Sequence, residues 1–412
     1  GQLGNGPTSP QSASPNTLTT PVDVLAVSHS ADLEGAERSL LTAVNGLASR
    51  GKLRPSVALP TRGLLSSALE TRSIPCSFPG PYAPWLSRSA GEAFTKRVPR
   101  MVLNRALAMR HAHRGRARPP AMVWVNTLAN PFGALLGHRL GVPVVWHVRE
   151  LVTEQKGQHW DCGQSSSMRL LARSAFVVFT TQAVASAYRP FIGDTPNAVI
   201  PNGFDFAAPS SVPVQPPQPN AERPLRLLCV AKLAPLKGIS DALHALAQLR
   251  REGVHAELRV AGTVTDYAPT LYALANELGI SEFVDWHGYR SDVYQLYQWA
   301  DLTLVCSLGE AFGRVTVESL AAGVPVVGTN SGATPEVLGP FAVDLLYPSG
   351  DTQALAARIR SLIAQPNLYL RIATQGSSYA RETFGVAQYV SQLEQTLLAT
   401  LDPHTPTHKV RP

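Results

Sequence analysis

Short apolar runs alternate with amphipathic stretches along most of the chain. In the first half, the runs are "VDVLAVS" (22–28), "AMVWV" (121–125), "VPVVWHV" (142–148) and "AFVVFT" (175–180). In the second half they are "LRLLCVA" (225–231), "AELRVAG" (256–262), "FVDWHG" (283–288), "LTLVC" (302–306) and "VPVVG" (324–328). Between these runs, apolar residues recur at helical spacing. In the second half this spacing predicts a helix that ends at about residue 252 and further helices near 268–279, 291–299 and 314–322. Such alternation predicts the α/β class, with doubly wound parallel sheets covered by helices.

A proline-rich segment separates the two alternating halves. Residues 207–224, "AAPSSVPVQPPQPNAERP", contain six prolines, which is typical of a stiff extended linker. We therefore predict one domain over 21–206, a linker over 207–224 and a second domain over 225–385. A terminal helix is predicted over 386–401, and flexible tails over 1–20 and 402–412. Doubly wound sheets bind ligands beyond the carboxyl ends of their strands, so the site is expected between the domains.

Composition narrows the class of protein. The chain has 412 residues, 44% of them hydrophobic, without the apolar run of about 18 to 20 residues that a membrane-spanning helix needs. No signal-peptide pattern is visible, and the four cysteines are far apart, so we expect a cytoplasmic protein without disulfides or a zinc site. The formal net charge of +7 permits contact with an anionic membrane surface at the inner face or with phosphorylated ligands. The basic run "RHAHRGRARPP" (110–120) has no interleaved aromatic residues, which disfavours nucleic-acid binding.

Two carboxylates flank a predicted helix start in "EAFGRVTVESLAAGVPVVGTNSGATPEVL" (310–338). Gly313 allows the backbone to approach a ligand, and the first N–H groups of the helix, near Arg314 and Val315, favour an anion such as phosphate. Because phosphate repels carboxylates, Glu310 and Glu318 are expected to accept hydrogen bonds from sugar hydroxyls instead. A nucleotide sugar combines these groups. The alternative is that one acid caps a helix and the other lies on its surface.

Two lysines follow the first strand of the second domain in "VAKLAPLKG" (230–238). Lys232 and Lys237 are placed to neutralise a diphosphate leaving group, although two lysines in a loop are also common as solvated side chains. No D-x-D carboxylate cluster lies at a candidate site, so we predict that the departure of the diphosphate needs no metal ion. No G-x-G-x-x-G opens a helix after a strand, so no cofactor is expected beyond a nucleotide sugar co-substrate.

These motifs occur in order with several others over about 24 to 400: "EGAERSLLTAVNGLASRG" (34–51), "VVWHVRE" (144–150), "VIPNGFDF" (199–206) and "FVDWHGYRSDVYQLYQWADLTLVCS" (283–307). The set resembles the retaining glycosyltransferases of family 4, which carry an E-x7-E motif. The resemblance implies the GT-B fold, in which two Rossmann-like domains face each other across a cleft. It also implies transfer of a hexosyl group from a nucleotide diphosphate sugar to a glycan, lipid or small-molecule acceptor, as in polysaccharide or glycolipid biosynthesis.

The resemblance assigns roles on the donor side. Glu310 would contact hydroxyls of the transferred sugar, Glu318 the ribose, and Lys232 and Lys237 the diphosphate. The neighbouring donor contacts would be Phe312, Gly313, Arg314 and Val315. Gly35 would approach the diphosphate from the first domain. The family commonly has Arg at the position of Lys232 and a second glycine at that of Glu34, so these two contacts differ here.

The resemblance also implies roles on the acceptor side. His147 would meet the donor sugar near the reacting carbon, and Arg149 and Glu150 would touch the acceptor. Tyr289 would lie against the nucleotide base. A histidine at a strand end is otherwise most often a packed residue, and Tyr289 fits equally well as a core aromatic. The domain over 21–206 would take the acceptor, the one over 225–385 the donor, and the helix over 386–401 would cross back to the first.

Other functions remain alternatives at this point. Nucleotide-sugar epimerases and sugar phosphorylases share two facing Rossmann-like domains. A phosphorylase would have a longer chain and a pyridoxal-phosphate lysine, whereas an epimerase needs acid and base residues beside the sugar, which "WHVRE" supplies only ambiguously. A non-catalytic relative that binds a glycan or a partner is disfavoured by the presence of both glutamates and both lysines.

Overall fold

The structure, a computed structural model, describes residues 20–153 and 157–402. The predicted tails, apart from Thr20 and Asp402, lie outside the described residues. The strands are β1 Val22–Val27, β2 Leu53–Ala58, β3 Cys76–Ser77, β4 Leu86–Ser87, β5 Met122–Val125, β6 Val144–Val148, β7 His159–Trp160, β8 Phe176–Phe179, β9 Asn197–Val199, β10 Leu225–Val230, β11 Ala256–Ala261, β12 Val284–Gly288, β13 Leu302–Val305, β14 Val326–Thr329 and β15 Leu346–Tyr347.

Helices connect these strands. They are α1 Gly35–Arg50, α2 Leu64–Glu70, α3 Ala90–Gly115, α4 Phe132–Leu140, α5 Gln164–Ala172, α6 Gln182–Ile192, α7 Ile239–Arg251, α8 Ala268–Glu277, α9 Val293–Trp299, α10 Arg314–Ala321, α11 Thr334–Leu338, α12 Ala342–Leu345, α13 Thr352–Ile363, α14 Pro366–Thr383 and α15 Val386–Leu401. The helices of this described part of the chain lack the length and apolarity of a bilayer-spanning segment.

The described strands form two parallel sheets and one short antiparallel pair, β4 with β7. The first sheet has the order β3-β2-β1-β5-β6-β8-β9, and the second has the order β12-β11-β10-β13-β14-β15. In each sheet the chain builds outward to one edge and then returns to the other side of its first strand. This reversal makes a crevice at the carboxyl ends of the central strands, next to β1 and β5 and next to β10 and β13. The predicted doubly wound α/β class is confirmed.

Three strands of the first sheet, β2, β3 and β9, lie outside the apolar runs that predict strands. Strand β2 reads "LRPSVA", in which Arg54 and Pro55 interrupt the apolar pattern. Proline lacks the N–H that a sheet ladder uses and is therefore typical of loops and edge strands. Here β3 pairs only with Val57 and Ala58, beyond the proline, so the interruption does not break the pairing on that side.

The chain passes between the two sheets twice, at neighbouring points. Residues 205–224, which include the proline-rich linker, contain no helix or strand. The second passage precedes α15, and the two segments bind each other: the Phe204 N–H donates to the Phe384 carbonyl (2.8 Å), and the Val386 N–H donates to the Phe204 carbonyl (3.1 Å). The two connecting segments therefore run between the sheets as one hydrogen-bonded pair.

The terminal helix α15 packs on the first sheet. Its residues Tyr389, Val390, Leu393 and Leu397 are buried in the same apolar cluster as strands β1 and β5. The buried Glu394 of α15 pairs with Arg50 at 3.1 Å. The first core is thus completed by a helix that follows the whole second sheet in the chain.

Candidate active site

A cavity of about 150 Å³ lies at the carboxyl ends of β10 and β13, the reversal point of the second sheet. Of the residues predicted on the donor side, Lys237, Glu310, Gly313, Arg314 and Val315 line it. Parallel strands end at a common edge, and the loops that follow them therefore converge there. The structure brings these five positions together as the strand pattern predicts.

Lys237 and Glu310 form an ion pair across the cavity. The ammonium nitrogen of Lys237 is 2.6 Å from Oε1 of Glu310, and both side chains are partly exposed. The two loops are tied together because the Leu308 N–H donates to the Leu236 carbonyl at 2.9 Å. The Glu310 carbonyl also accepts from the Ala333 N–H at 2.8 Å, which holds the loop against the start of α11. The pair is therefore positioned by backbone contacts before any ligand binds.

Gly238 allows the two loops to approach each other. Its φ is +61°, in the left-handed region, and a Cβ at this position would lie 2.1 Å from the Cys306 carbonyl oxygen. Only glycine fits such a contact without a backbone shift. The neighbouring thiols are not nucleophiles, because burial raises the pKa of Cys229 to about 12 and that of Cys306 well above its usual range.

Helix α10 begins at this cavity. Gly313, with a φ of +95°, precedes the helix, and the N–H groups of Arg314 and Val315 belong to its first turn and have no partner within it. The buried strand β13 and the buried residues Val317 and Leu320 fix the direction of the helix. The positive end of its dipole and Lys237 then lie on the same cavity. This arrangement favours an anion with more than one negative charge.

Glu318 lies one turn further along α10 and outside the lining of this cavity. Its Oε1 accepts from Nε of Arg314 at 2.7 Å, and its Oε2 accepts from the hydroxyl of Tyr297 at 3.2 Å. Arg314 also stacks over the ring of Phe204, 4.7 Å from the centroid. The carboxylate is thus oriented toward α9, with donors that vicinal hydroxyls of a ligand would replace or join.

Three of the predicted contacts, Lys232, Gly35 and Tyr289, are outside the lining of the cavity. Lys232 is exposed just beyond β10. Gly35 is the first residue of α1, and a Cβ there would meet no atom within 4 Å, so open space faces it. Tyr289 follows β12 with 64% of its surface exposed, and its hydroxyl accepts from Nη2 of Arg38 on α1 at 3.4 Å. The alternative of a core aromatic is therefore wrong for Tyr289, which lies between the two sheets.

His147 and Phe312 are placed differently from the prediction. His147 is the fourth residue of β6 and has 0% exposure. Burial and the neighbouring Arg149 hold the pKa of His147 well below its usual value, so the ring is neutral. Because none of its surface is exposed, the ring has no room for a sugar in this conformation. The ring of Phe312 stacks on Phe204 and packs edge-on against Phe384. The ring thus has a packing role beside the crossing segments, and the donor contact of Phe312 stays a prediction.

Arg149 and Glu150 are also held by protein groups, Arg149 in a buried position and Glu150 in a half-buried one. The buried guanidinium of Arg149 donates to the Asn126 carbonyl at 3.1 Å, to the Tyr389 hydroxyl at 3.1 Å and to the Asn202 side chain. Glu150 accepts from the Leu128 and Arg149 N–H groups, and burial raises its pKa. In this structure the two residues build the carboxyl edge of the first sheet, and their direct contact with an acceptor stays a prediction.

Contacts between the two halves were not predicted. The hydroxyl of Thr181 donates to the Ala311 carbonyl at 2.8 Å, next to Glu310. The carboxylate of Glu336 accepts from the N–H groups of Gln182 and Ala183, at 2.8 and 3.2 Å, and so caps α6 from the other half. These partners are 154 residues apart at Gln182 and Glu336, and no periodic or local pattern links them. Within the described ranges, no group of three or more His, Cys, Asp or Glu side chains is arranged to hold a metal.

Two family models match the chain, one for each sheet. Residues 34–203 match the glycosyl transferase 4-like domain, and residues 214–379 match the glycosyl transferases group 1. The MMP alpha-(1->4)-mannosyltransferase of Mycolicibacterium hassiacum is 34% identical over 181 residues, which cover 42% of this chain and 43% of that protein. The N-acetyl-alpha-D-glucosaminyl L-malate synthase of Bacillus anthracis is 30% identical over 41% of this chain and 44% of its own length. The chain thus spans less than half of these relatives.

Solved structures share the fold over most of the chain. The Anabaena protein HepE, in a complex with UDP and glucose, superimposes with a TM-score of 0.73 at 23% identity, covering 92% of this chain and all of that one. The apo form of the lipopolysaccharide outer core galactosyltransferase WaaB gives a TM-score of 0.69 at 15% identity, covering 92% and 99%. The two facing sheets have the GT-B arrangement.

Proposed function

Because the chain belongs to the group 1, GT4-like glycosyltransferases, we propose that it transfers a sugar from a nucleotide diphosphate sugar to a glycan, lipid or small-molecule acceptor. The observation that carries this proposal is the convergence of Lys237, Glu310 and the start of α10 on one cavity. An anion site beside a carboxylate suits a phosphate joined to a sugar.

In the proposed reaction the second domain binds the donor. The diphosphate accepts hydrogen bonds from the Arg314 and Val315 N–H groups, and Lys237 turns from Glu310 to the phosphate oxygens. The charge that develops on the leaving diphosphate is then stabilised by preorganised groups. Glu310, once released, accepts from hydroxyls of the sugar, and Glu318 accepts from the ribose.

We propose retention of the anomeric configuration and no requirement for a metal ion. Lys237, the exposed Lys232 and the α10 dipole supply positive charge where a metal would otherwise be needed. The departing phosphate takes the proton of the acceptor hydroxyl on the same face of the sugar, so no separate protein base is required. The neutral, buried His147 and the half-buried Glu150, whose pKa is raised by desolvation, are consistent with this assignment.

A thermal-shift panel tests the donor site. UDP, GDP and ADP and their sugar conjugates are added in EDTA and in magnesium. We expect one nucleotide class to stabilise the protein by about 2 to 3 kcal/mol at a hundredfold excess over its Kd, equally in EDTA. Lys237→Ala and Glu318→Ala should abolish the shift, whereas Lys52→Ala and Glu282→Ala, on the surface elsewhere, should retain it.

The contrary outcomes separate parts of the proposal. No shift with any nucleotide would remove the donor site and favour the non-catalytic alternative. A shift that requires magnesium would overturn metal independence alone. The anomeric configuration of the product, read by NMR, tests retention.

We propose in addition that α3 contacts an anionic membrane surface. Its side chains Phe94, Val98, Val102 and Met109 are exposed, at 82%, 59%, 58% and 54%, and lie along one side of the helix. Between 90 and 118 there are eight Lys and Arg residues against one Glu, an excess equal to the net charge of the whole chain. Exposed apolar side chains flanked by basic ones are typical of helices that lie in a membrane interface.

Vesicle sedimentation tests this contact. We expect binding to phosphatidylglycerol-containing vesicles and little binding to pure phosphatidylcholine. Phe94→Ser/Val98→Ser should weaken binding about tenfold or more, because two apolar groups no longer enter the interface. The control Leu64→Ser/Val343→Ser changes two side chains that are as exposed but lie elsewhere. Equal losses in both variants would contradict a specific role for α3.

A further inference from the structure

A second and larger cavity lies in the first half of the molecule. It measures about 360 Å³ and is enclosed by α3, α5 and the start of α4, with Trp85 in its wall. Pockets of about 300 to 1,000 Å³ are the usual size of small-molecule sites. None of the residues predicted as donor or acceptor contacts lines this cavity. It is a separate feature of the molecule.

Arginine dominates the charge of this cavity. Five arginines line it, Arg97, Arg100, Arg105, Arg169 and Arg173. They come from α3 and from α5 with the residue that follows it, so two segments direct positive charge at one space. The acid in the lining is Asp161, which is buried and bound by Arg100 at 2.9 Å and by the Ser87 hydroxyl at 2.5 Å. Asp161 therefore neutralises Arg100, and four positive charges remain.

Three of these arginines lack an anion within the described part of the molecule. No described side chain or carbonyl accepts a hydrogen bond from the guanidinium groups of Arg97, Arg105 or Arg173, and all three are exposed at the rim. Like charges gathered around a concave surface repel one another and raise the local concentration of anions. The rim thus fits a multiply charged group such as a phosphate monoester.

The interior of the cavity is apolar. It is lined by Trp85, Met101, Pro131, Leu135 and Leu170. Trp85 is held rigidly, since it stacks on Trp146 with centroids 5.8 Å apart and packs edge-on against Trp160 at 5.4 Å. A simple inorganic anion would leave this surface without a partner. The cavity instead matches a ligand with an apolar body and an anionic head.

The wall of the cavity is built before any ligand binds. Asn104, a buried residue of α3, accepts from the Ala83 N–H and donates to the Ala83 carbonyl, both at 2.9 Å. Together with the Arg100–Asp161 pair, these bonds fix α3 against the segment that carries Trp85. Less ordering is then required when a ligand enters.

We propose that this cavity binds an amphiphilic anion, a phosphate monoester carried on an apolar chain, as the acceptor end of the transfer. The head lies among Arg97, Arg105 and Arg173, and the apolar part lies against Trp85 and Met101. Arg97 and Arg105 belong to the same helix as the exposed apolar side chains Phe94, Val98 and Val102, so a ligand can pass from a membrane surface into the cavity along α3. The role as acceptor rests on the proposed transfer, whereas the binding itself does not.

Isothermal titration tests the binding without any nucleotide. The probes are octyl phosphate below its micelle concentration, octanol and inorganic phosphate, all at one ionic strength. We expect octyl phosphate to bind at least tenfold more tightly than either fragment. Arg97→Gln/Arg105→Gln should weaken it at least tenfold, and the control Arg114→Gln/Arg116→Gln, near the end of the same helix, should bind as the parent does.

Each other result overturns the proposal in a defined way. Equal affinity for inorganic phosphate means an ion site, and equal affinity for octanol means an apolar pocket. An equal loss in both double variants means general surface attraction. The Arg97→Gln/Arg105→Gln variant should keep the nucleotide-induced thermal shift of the parent. If this variant keeps the thermal shift but no longer binds octyl phosphate, the loss is assigned to the cavity. If the parent protein itself shows no thermal shift with any nucleotide, only the proposed donor site is contradicted.

Discussion

Replacing Lys237 by alanine should lower the rate of sugar transfer by about a hundredfold to a thousandfold, the usual effect of removing one preorganised group from a developing negative charge. The substitution also leaves the Glu310 carboxylate, 2.6 Å away in the ion pair, beside the entering diphosphate without that partner. Repulsion is added to the loss of attraction. The measurement is the initial rate with the donor that the thermal panel identifies.

The control for this prediction is Lys52→Ala, which removes a lysine paired with a different carboxylate, Glu394, at 3.5 Å. Its transfer rate should be that of the parent. A double-mutant cycle with Glu310→Ala then distinguishes two roles. If the lysine and the glutamate serve only each other, the double variant is no worse than either single one. If each contacts the donor, the double variant loses more, and a Lys237→Ala rate within about threefold of the parent contradicts the donor site.

Gly238→Ala should destabilise the second domain by about 2 to 4 kcal/mol, the sum of left-handed backbone strain and overpacking. The new methyl group would lie 2.1 Å from the Cys306 carbonyl oxygen, which is backbone and cannot rotate away. To relieve this clash, the loop that carries Lys237 must move away from the loop that carries Glu310. The loss of nucleotide binding should therefore exceed what the loss of stability explains.

Hydrogen exchange localises this effect, since a two-domain chain does not unfold in one step. Amides of β10 and β13 should exchange faster in Gly238→Ala, while those of β5 and β6 should not change. Gly279→Ala is the matched control: its φ is +68°, but a Cβ there meets no atom within 4 Å. This control should lose only about 1 kcal/mol of stability, because it adds backbone strain but no overpacking. Similar losses in the two variants would show that contact with Cys306 is unimportant.

The donor side was predictable because its geometry follows from strand order. The loops after β10 and β13 must meet when those strands are neighbours, and the helix start at Gly313 is visible in the local sequence. Lys237 and Glu310 therefore meet as expected. The orientation of Glu318 depends on Tyr297 of α9, which no local pattern connects to it.

The first sheet was less predictable because its central strands are buried on both faces. All five residues of β6 are buried, so the alternation of apolar and polar residues does not indicate which side chains reach a ligand. The local sequence around His147 is therefore compatible with both a packed and an exposed ring. The burial of Arg149 depends on Tyr389, 240 residues later in the chain. The cavity beside α3 combines residues of α3, α4 and α5 with Trp85 and Asp161, and its arginines look like ordinary surface charges in the sequence.

The position of α15 has a consequence for how the protein is made. Leu393 and Leu397 complete the apolar cluster of the first domain, yet they leave the ribosome only after the whole second domain has been synthesised. Until then the face of α1 that these leucines cover is exposed to solvent. The second domain, which lies in the chain between the first domain and α15, can already fold as a unit. Chains that stop before residue 386 therefore expose this face permanently, and the first domain, although it precedes the second in the chain, is completed only after it.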